Sequence, residues 1–199
     1  MKLFTYFFLF LFSESLLARD VELSKFYNKY WKVTNKSIEY IKAGEIIVDS
    51  SVDNHKGNLQ SFEMHVAAMH KKSCTKAIRK LFMYENYDDW VSFIKSSTYI
   101  KKNKLLTIKA NHILLPFPMV VHIIVDRPKT PGIYHFSFPT GIFKGLIGKF
   151  IIIDHNSSCA FYAESHWKGK KTKIPNFVVE LFSETLTKLG GELLFRKVK

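Results

Sequence analysis

The chain has 199 residues, of which 47% are hydrophobic and 15% aromatic, with 18 Phe. That apolar content excludes a disordered chain and suffices for one domain with a substantial core. A total of 30 Lys and Arg against 17 Asp and Glu leaves a net charge of +13, so anionic membranes, nucleic acids or acidic ligands would all be attracted to it.

The N-terminus has the order of a secretory signal. Lys2 supplies a positive start, Leu3 to Phe12 an apolar stretch, and Leu16-Leu17-Ala18 a small residue suited to cleavage. Glu14 interrupts the stretch, which is short for a bilayer span. The reading is a signal peptide over residues 1–18, with an uncleaved N-terminal anchor as the alternative. Lys2 and Glu14 cancel, so the mature chain keeps the full charge. An exported protein, periplasmic or secreted, does not meet nucleic acid; an anionic membrane surface is the electrostatic partner it would meet.

Residues 19–43 read as a helical segment, because Leu23, Phe26, Tyr27, Tyr30 and Trp31 fall on one helical stripe. A second short helix over Ser37 to Lys42 stops at Gly44, which accepts positive φ without strain. From residue 44 to 199 we expect one domain. Glu45 to Ser51 and Gln60 to Lys71 form a hairpin around an Asp53-to-Gly57 turn. Two short helices follow, Ser73 to Met83 and Asp88 to Ile94. Then come six strands: Thr98 to Asn103, Leu105 to Leu114, Met119 to Asp126, Ile133 to Pro139, Gly148 to Asp154 and Cys159 to Trp167. Turn residues separate them. A long helix starts at Pro175, with Ile174, Phe177, Val178, Leu181, Phe182, Thr185 and Leu189 on one face. Glu180, Ser183, Glu184 and Thr187 fall on the other, and Gly190-Gly191 ends it.

The fold class is therefore α+β: a curved antiparallel sheet wrapped around a long C-terminal helix, with an extra N-terminal helix. One helix cannot fill such a sheet, so a cavity between them is expected. Cys74 and Cys159 form either one bridge or two buried thiols.

Five local patterns carry a resemblance. They are Phe62 to His70 leading into Ala77-Ile78-Arg79-Lys80-Leu81-Phe82, Tyr87-Asp88-Asp89-Trp90 with Phe93, Leu115-Pro116-Phe117-Pro118-Met119, Gly148-Lys149-Phe150 to Tyr162, and Ile174-Pro175-Asn176-Phe177. Together they resemble the START-like, or SRPBCC, helix-grip superfamily, which includes polyketide cyclases and coenzyme-Q-binding proteins. The resemblance runs from about Gly44 to Lys199. One departure is Val121-His122, where relatives often carry an Arg-Asp pair. The resemblance implies an interior pocket for a lipid, sterol, quinone or polyketide-like ligand.

Candidate cavity residues are Trp90, Phe93, Phe136, Phe138, Phe150, Phe177, Leu181 and Thr185. The segment Gly141 to Gly148 lacks the Lys-Ser/Thr of a phosphate loop. Its Ile142, Phe143 and Leu146 beside Lys144 instead suit contact with a membrane interface. No nucleophile elbow or metal-binding helix is present, and the eight His do not cluster in sequence. No metal, cofactor or catalytic residue is assigned. The expectation is a monomeric binding or transport protein for a hydrophobic molecule and not an enzyme; a cyclase-type enzyme using the same pocket is the alternative.

Overall fold

A computed structural model describes residues 22–113, 118–141 and 143–198. The signal-peptide reading lies outside the described residues. Helix α1 covers residues 22–28 and α2 covers Asn35–Ala43. Thr34 caps α2 by accepting a hydrogen bond from the Ser37 N–H at 3.1 Å, and Gly44 closes it at φ 98°.

Eight strands build one sheet: β1 (Ile47–His55), β2 (Leu59–His70), β3 (Ile94–Ile100), β4 (Leu105–Ala110), β5 (Met119–Val125), β6 (Gly132–Ser137), β7 (Ile147–His155) and β8 (Ser158–Lys170). Their order is β1-β2-β8-β7-β6-β5-β4-β3, with every neighbouring pair antiparallel. Helices α3 (Cys74–Leu81) and α4 (Tyr87–Trp90) carry the chain from β2 to the far edge at β3. The second of these is one turn long rather than reaching Ile94, because Ile94 already pairs with Ala110.

Helix α5 (Asn176–Phe195) crosses the concave face. At one side it meets edge strand β1; at the other its Leu186, Leu189 and Leu193 pack on Val91, Phe93 and Ile94 beside the opposite edge. A helix that touches both edges of one sheet requires the sheet to curl around it. The helix runs through Gly190-Gly191 instead of ending there. A Cβ on Gly191 would lie 2.5 Å from Ile46 Cδ1, and one on Gly190 3.3 Å from the Phe93 ring. These glycines let the helix approach closely, and the packing outweighs their weak propensity.

The rotation of α5 differs from the sequence expectation. Its acids face the bare edge of β1. Glu184 Oε1 accepts from the Ser50 N–H at 2.9 Å and the Ser50 hydroxyl at 3.0 Å, and Glu180 Oε1 accepts from the Val52 N–H at 2.7 Å. Edge-strand amides have no ladder partner and must find an acceptor elsewhere. Asn176 adds a bond to the Val52 carbonyl at 2.8 Å and accepts from buried Gln60 at 2.9 Å. Phe177 and Leu181 consequently point outward, 67% and 53% exposed.

On the convex face α1 and α2 cover part of the sheet. Leu23, Tyr27, Ile38 and Ile41 pack on Ala67, Ile151 and Tyr162, and the Tyr27 hydroxyl donates to the Ala68 carbonyl at 2.7 Å. The two cysteines are joined, Cys74 of α3 to Cys159 of β8.

Candidate ligand cavity

The inward side chains of the sheet leave a hollow under α5. One row across the sheet pairs Phe136 with Gly148, Gly148 with Ser165, and Ser165 with Met64. The two middle positions carry little side chain, and the Phe136 ring and the hollow occupy the room they leave. A Cβ on Gly148 would come within 2.4 Å of both the Phe136 ring and the Glu164 carbonyl oxygen; glycine is what lets the ring lie flat against the sheet. The next row is bulky, with Phe62 and Trp167 paired and Leu146 close by.

The resulting cavity has a volume of about 400 Å³, within the range that holds a small ligand. Phe62, Met64, Ile108, Val121, Ile123 and Phe136 form its body, and Ser183 and Thr187 of α5 form its roof. None of the described lining residues carries a charge. It reaches the surface between Pro118, Val120, Thr140 and Gly141, all exposed. The opening has a structural cause: β5 pairs with β6 only at Ile124–Ser137 and Val125–Phe136, and the strands separate beyond.

Solved structures share this architecture. A START superfamily protein from Mycobacterium smegmatis is similar with a TM-score of 0.55 and 14% identity, covering 68% of this chain and 96% of that one. The structure of Ara h 8.0201 is similar with a TM-score of 0.52 and 11% identity, over 70% and 97% of the two chains. The Zhui aromatase/cyclase from Streptomyces sp. R1128 is similar with a TM-score of 0.54 and 6% identity, over 69% and 91%. The fold is START-like. No protein-family model and no curated protein sequence matches the chain.

Membership of the START-like fold corrects one expectation. An aromatase/cyclase is built on the same fold, so the reading that this chain is not an enzyme loses its ground. The START-like likeness itself concerns architecture, and one fold hosts unrelated functions.

The structure sorts the sequence-predicted residues into four groups. Phe136 and Phe138 line the cavity. Phe93 is 9% exposed and packs under α5, Trp90 lies beneath the Lys80 ammonium at 4.8 Å, and Phe150 stacks between Phe82 and Tyr134; none of these three is in the lining. Phe177 and Leu181 are on the outer side of α5, and Thr185 borders a groove with Ile46 and Lys188. In the β6–β7 loop, Phe143 and 4%-exposed Leu146 turn inward to the cavity wall, and Phe143 meets Trp167 edge-on. Lys144 is exposed with its carbonyl accepting from the Trp167 indole at 3.0 Å, and Ile142 lies outside the described residues.

Residues that sequence reasoning missed are Met64, Ser165, Ser183 and Thr187. The parity of β2 and β8 would have found the first two, since Phe62 and Met64, like Ser165 and Trp167, share a face. The i, i+4 hydroxyls Ser183 and Thr187 belong to the polar face of the long helix in the sequence reading, and that face turns inward here.

Titratable groups gather on the convex side instead. His135, Lys149, Glu164 and His166 border one groove there. Burial acts to raise the Glu164 pKa, but hydrogen bonds from Lys149 and Tyr162 outweigh it and hold the carboxyl below its ordinary value. Tyr162, desolvated and donating to that carboxylate at 2.8 Å, is pushed far above the usual phenol range. Among the described residues, no group of three His, Cys, Asp or Glu is placed to hold a metal.

Proposed function

We propose that this protein binds or carries a hydrophobic small molecule in the cavity beneath α5. The observation that supports it is an uncharged hollow of about 400 Å³ with an opening at the splayed β5–β6 strands. Burying an apolar ligand there gains about 25 cal/mol per Å² removed from water. The resemblance adds lipid, sterol, quinone or polyketide-like molecules as the class. We place the mature chain, beginning after Ala18, in an exported compartment, where its charge of +13 favours an anionic membrane surface as the ligand's source.

The test is displacement of the fluorescent probe 1-aminoanthracene, together with mass spectrometry of organic extracts from natively purified protein. Wild type binds the probe, and Val121→Trp, which fills the cavity wall, loses it while keeping its melting temperature within a few degrees. Absence of both probe binding and a co-purified apolar molecule overturns the proposal. For the membrane, sedimentation with phosphatidylglycerol vesicles at low salt and not at high salt is the expected result, because screening shortens the reach of exposed lysines. Equal sedimentation with phosphatidylcholine vesicles contradicts it.

A further inference from the structure

Ser165 is 4% exposed, lines the cavity floor, and its hydroxyl has no hydrogen-bond partner among the described residues. A buried hydroxyl left unpaired is costly and uncommon. The neighbouring hydroxyl does not relieve it: Thr187 directs its proton to the Met64 sulfur at 3.7 Å. Gly148, opposite Ser165 across the β7–β8 ladder, is covered by the Phe136 ring, which bounds the hollow on that side of the serine. Serine has a single side-chain rotor ahead of its hydroxyl, so a turn of χ1 redirects that group within the hollow.

Resting on the reading of this hollow as a ligand site, we infer that Ser165 is the polar anchor for a neutral ligand. That ligand is an apolar molecule carrying one hydroxyl or carbonyl oxygen, and it enters oxygen first toward the floor. The uncharged lining sets the second half of the inference. A carboxylate or ammonium brought to the floor would lose its hydration and find no counter-charge among the described lining residues. Alcohols, sterols and ketones fit this chemistry, and ionised fatty acids do not.

The experiment compares 1-decanol, 2-decanone, decanoate and decane as competitors of 1-aminoanthracene at pH 7, in wild type and Ser165→Ala. In wild type, the alcohol and ketone compete about fivefold better than the alkane, the scale of one neutral hydrogen bond, and decanoate is the weakest. In Ser165→Ala the gap between alcohol and alkane closes while the alkane itself is unaffected. The variant also melts at or above the wild-type temperature without ligand, because it removes an unpaired buried hydroxyl; a serine with a merely structural role would melt lower when replaced. Equal competition by decanoate and decanol, or a gap that survives Ser165→Ala, overturns the inference and leaves the cavity reading standing. Failure of the probe to bind wild type overturns both.

Discussion

His70 shows how one side chain fastens the end of the roof. It is buried at the end of β2, where its Nδ1 accepts from the Lys72 N–H at 3.0 Å. Its Nε2 therefore carries the proton and donates to the Phe195 carbonyl at 3.2 Å. Burial lowers the His70 pKa; the bond to Phe195 works against this and the Lys72 charge reinforces it. A histidine that resists protonation only when folded makes the unfolded chain the better proton binder. Stability is therefore full above the ordinary value of 6.5 and declines as pH falls from there through the depressed folded value. Melting curves from pH 7.5 to 5.5 in wild type and His70→Gln test this. The wild-type decline should be steeper, and parallel curves would refute it. Sequence alone showed eight scattered histidines. What distinguishes this one is contact with a residue 125 positions away, which no local pattern encodes.

Among the elements, α5 carries the largest departure from sequence reasoning. The hairpin and the six-strand run follow from β-branched and aromatic residues and turn signals, and the structure reproduces them with ends shifted by a few residues; the return of β8 to pair with β2 is long-range and no local pattern encodes it. The long helix was also legible, yet its orientation was not. Periodicity singles out the face with Phe177 and Leu181, but apolar residues occur on most sides of the helix, Val179, Leu186 and Leu194 among them, so other faces could meet the sheet as well. Glu180 and Glu184 read as solvent-facing because carboxylates usually are; only the assembled sheet reveals the bare amides of β1 that they satisfy. Phe136 and Phe138, two of the aromatic candidates, line the cavity, whereas Phe177 and Leu181, expected at the roof, lie on the outer side of α5. Glu184→Ala leaves the Ser50 amide without its acceptor and should cost about 1–3 kcal/mol in denaturant unfolding. Phe177→Ser, changing an outward position, should cost under about 0.5 kcal/mol. The reverse ranking would mean that the helix sits as the sequence suggested.

For the whole molecule, the Cys74–Cys159 bridge closes a loop with a sequence separation of 85, linking α3 to β8. Both cysteines are fully buried, with Ile78 and Ile152 around them. Sequence left the pairing open, because it depends on α3 coming to rest over the sheet's midline. A constraint of that length stabilises mainly by restricting the unfolded chain, and a typical contribution is about 2–4 kcal/mol. Cys74→Ala/Cys159→Ala should lose that much unfolding free energy in denaturant titration, with probe binding intact below the transition. Unchanged stability would show that the sheet alone fixes α3.

The clasp between α5 and β1 has an implication for recognising distant relatives. On the strand side the donors include main-chain amides, which every residue except proline supplies. On the helix side the acceptors are two side chains four apart, long enough to reach the strand. Positions 50 and 52 can therefore drift among most residue types, while the helix positions 180 and 184 are held to long side chains that end in an acceptor. An alignment scored on the strands would miss kin that this helical signature would retrieve.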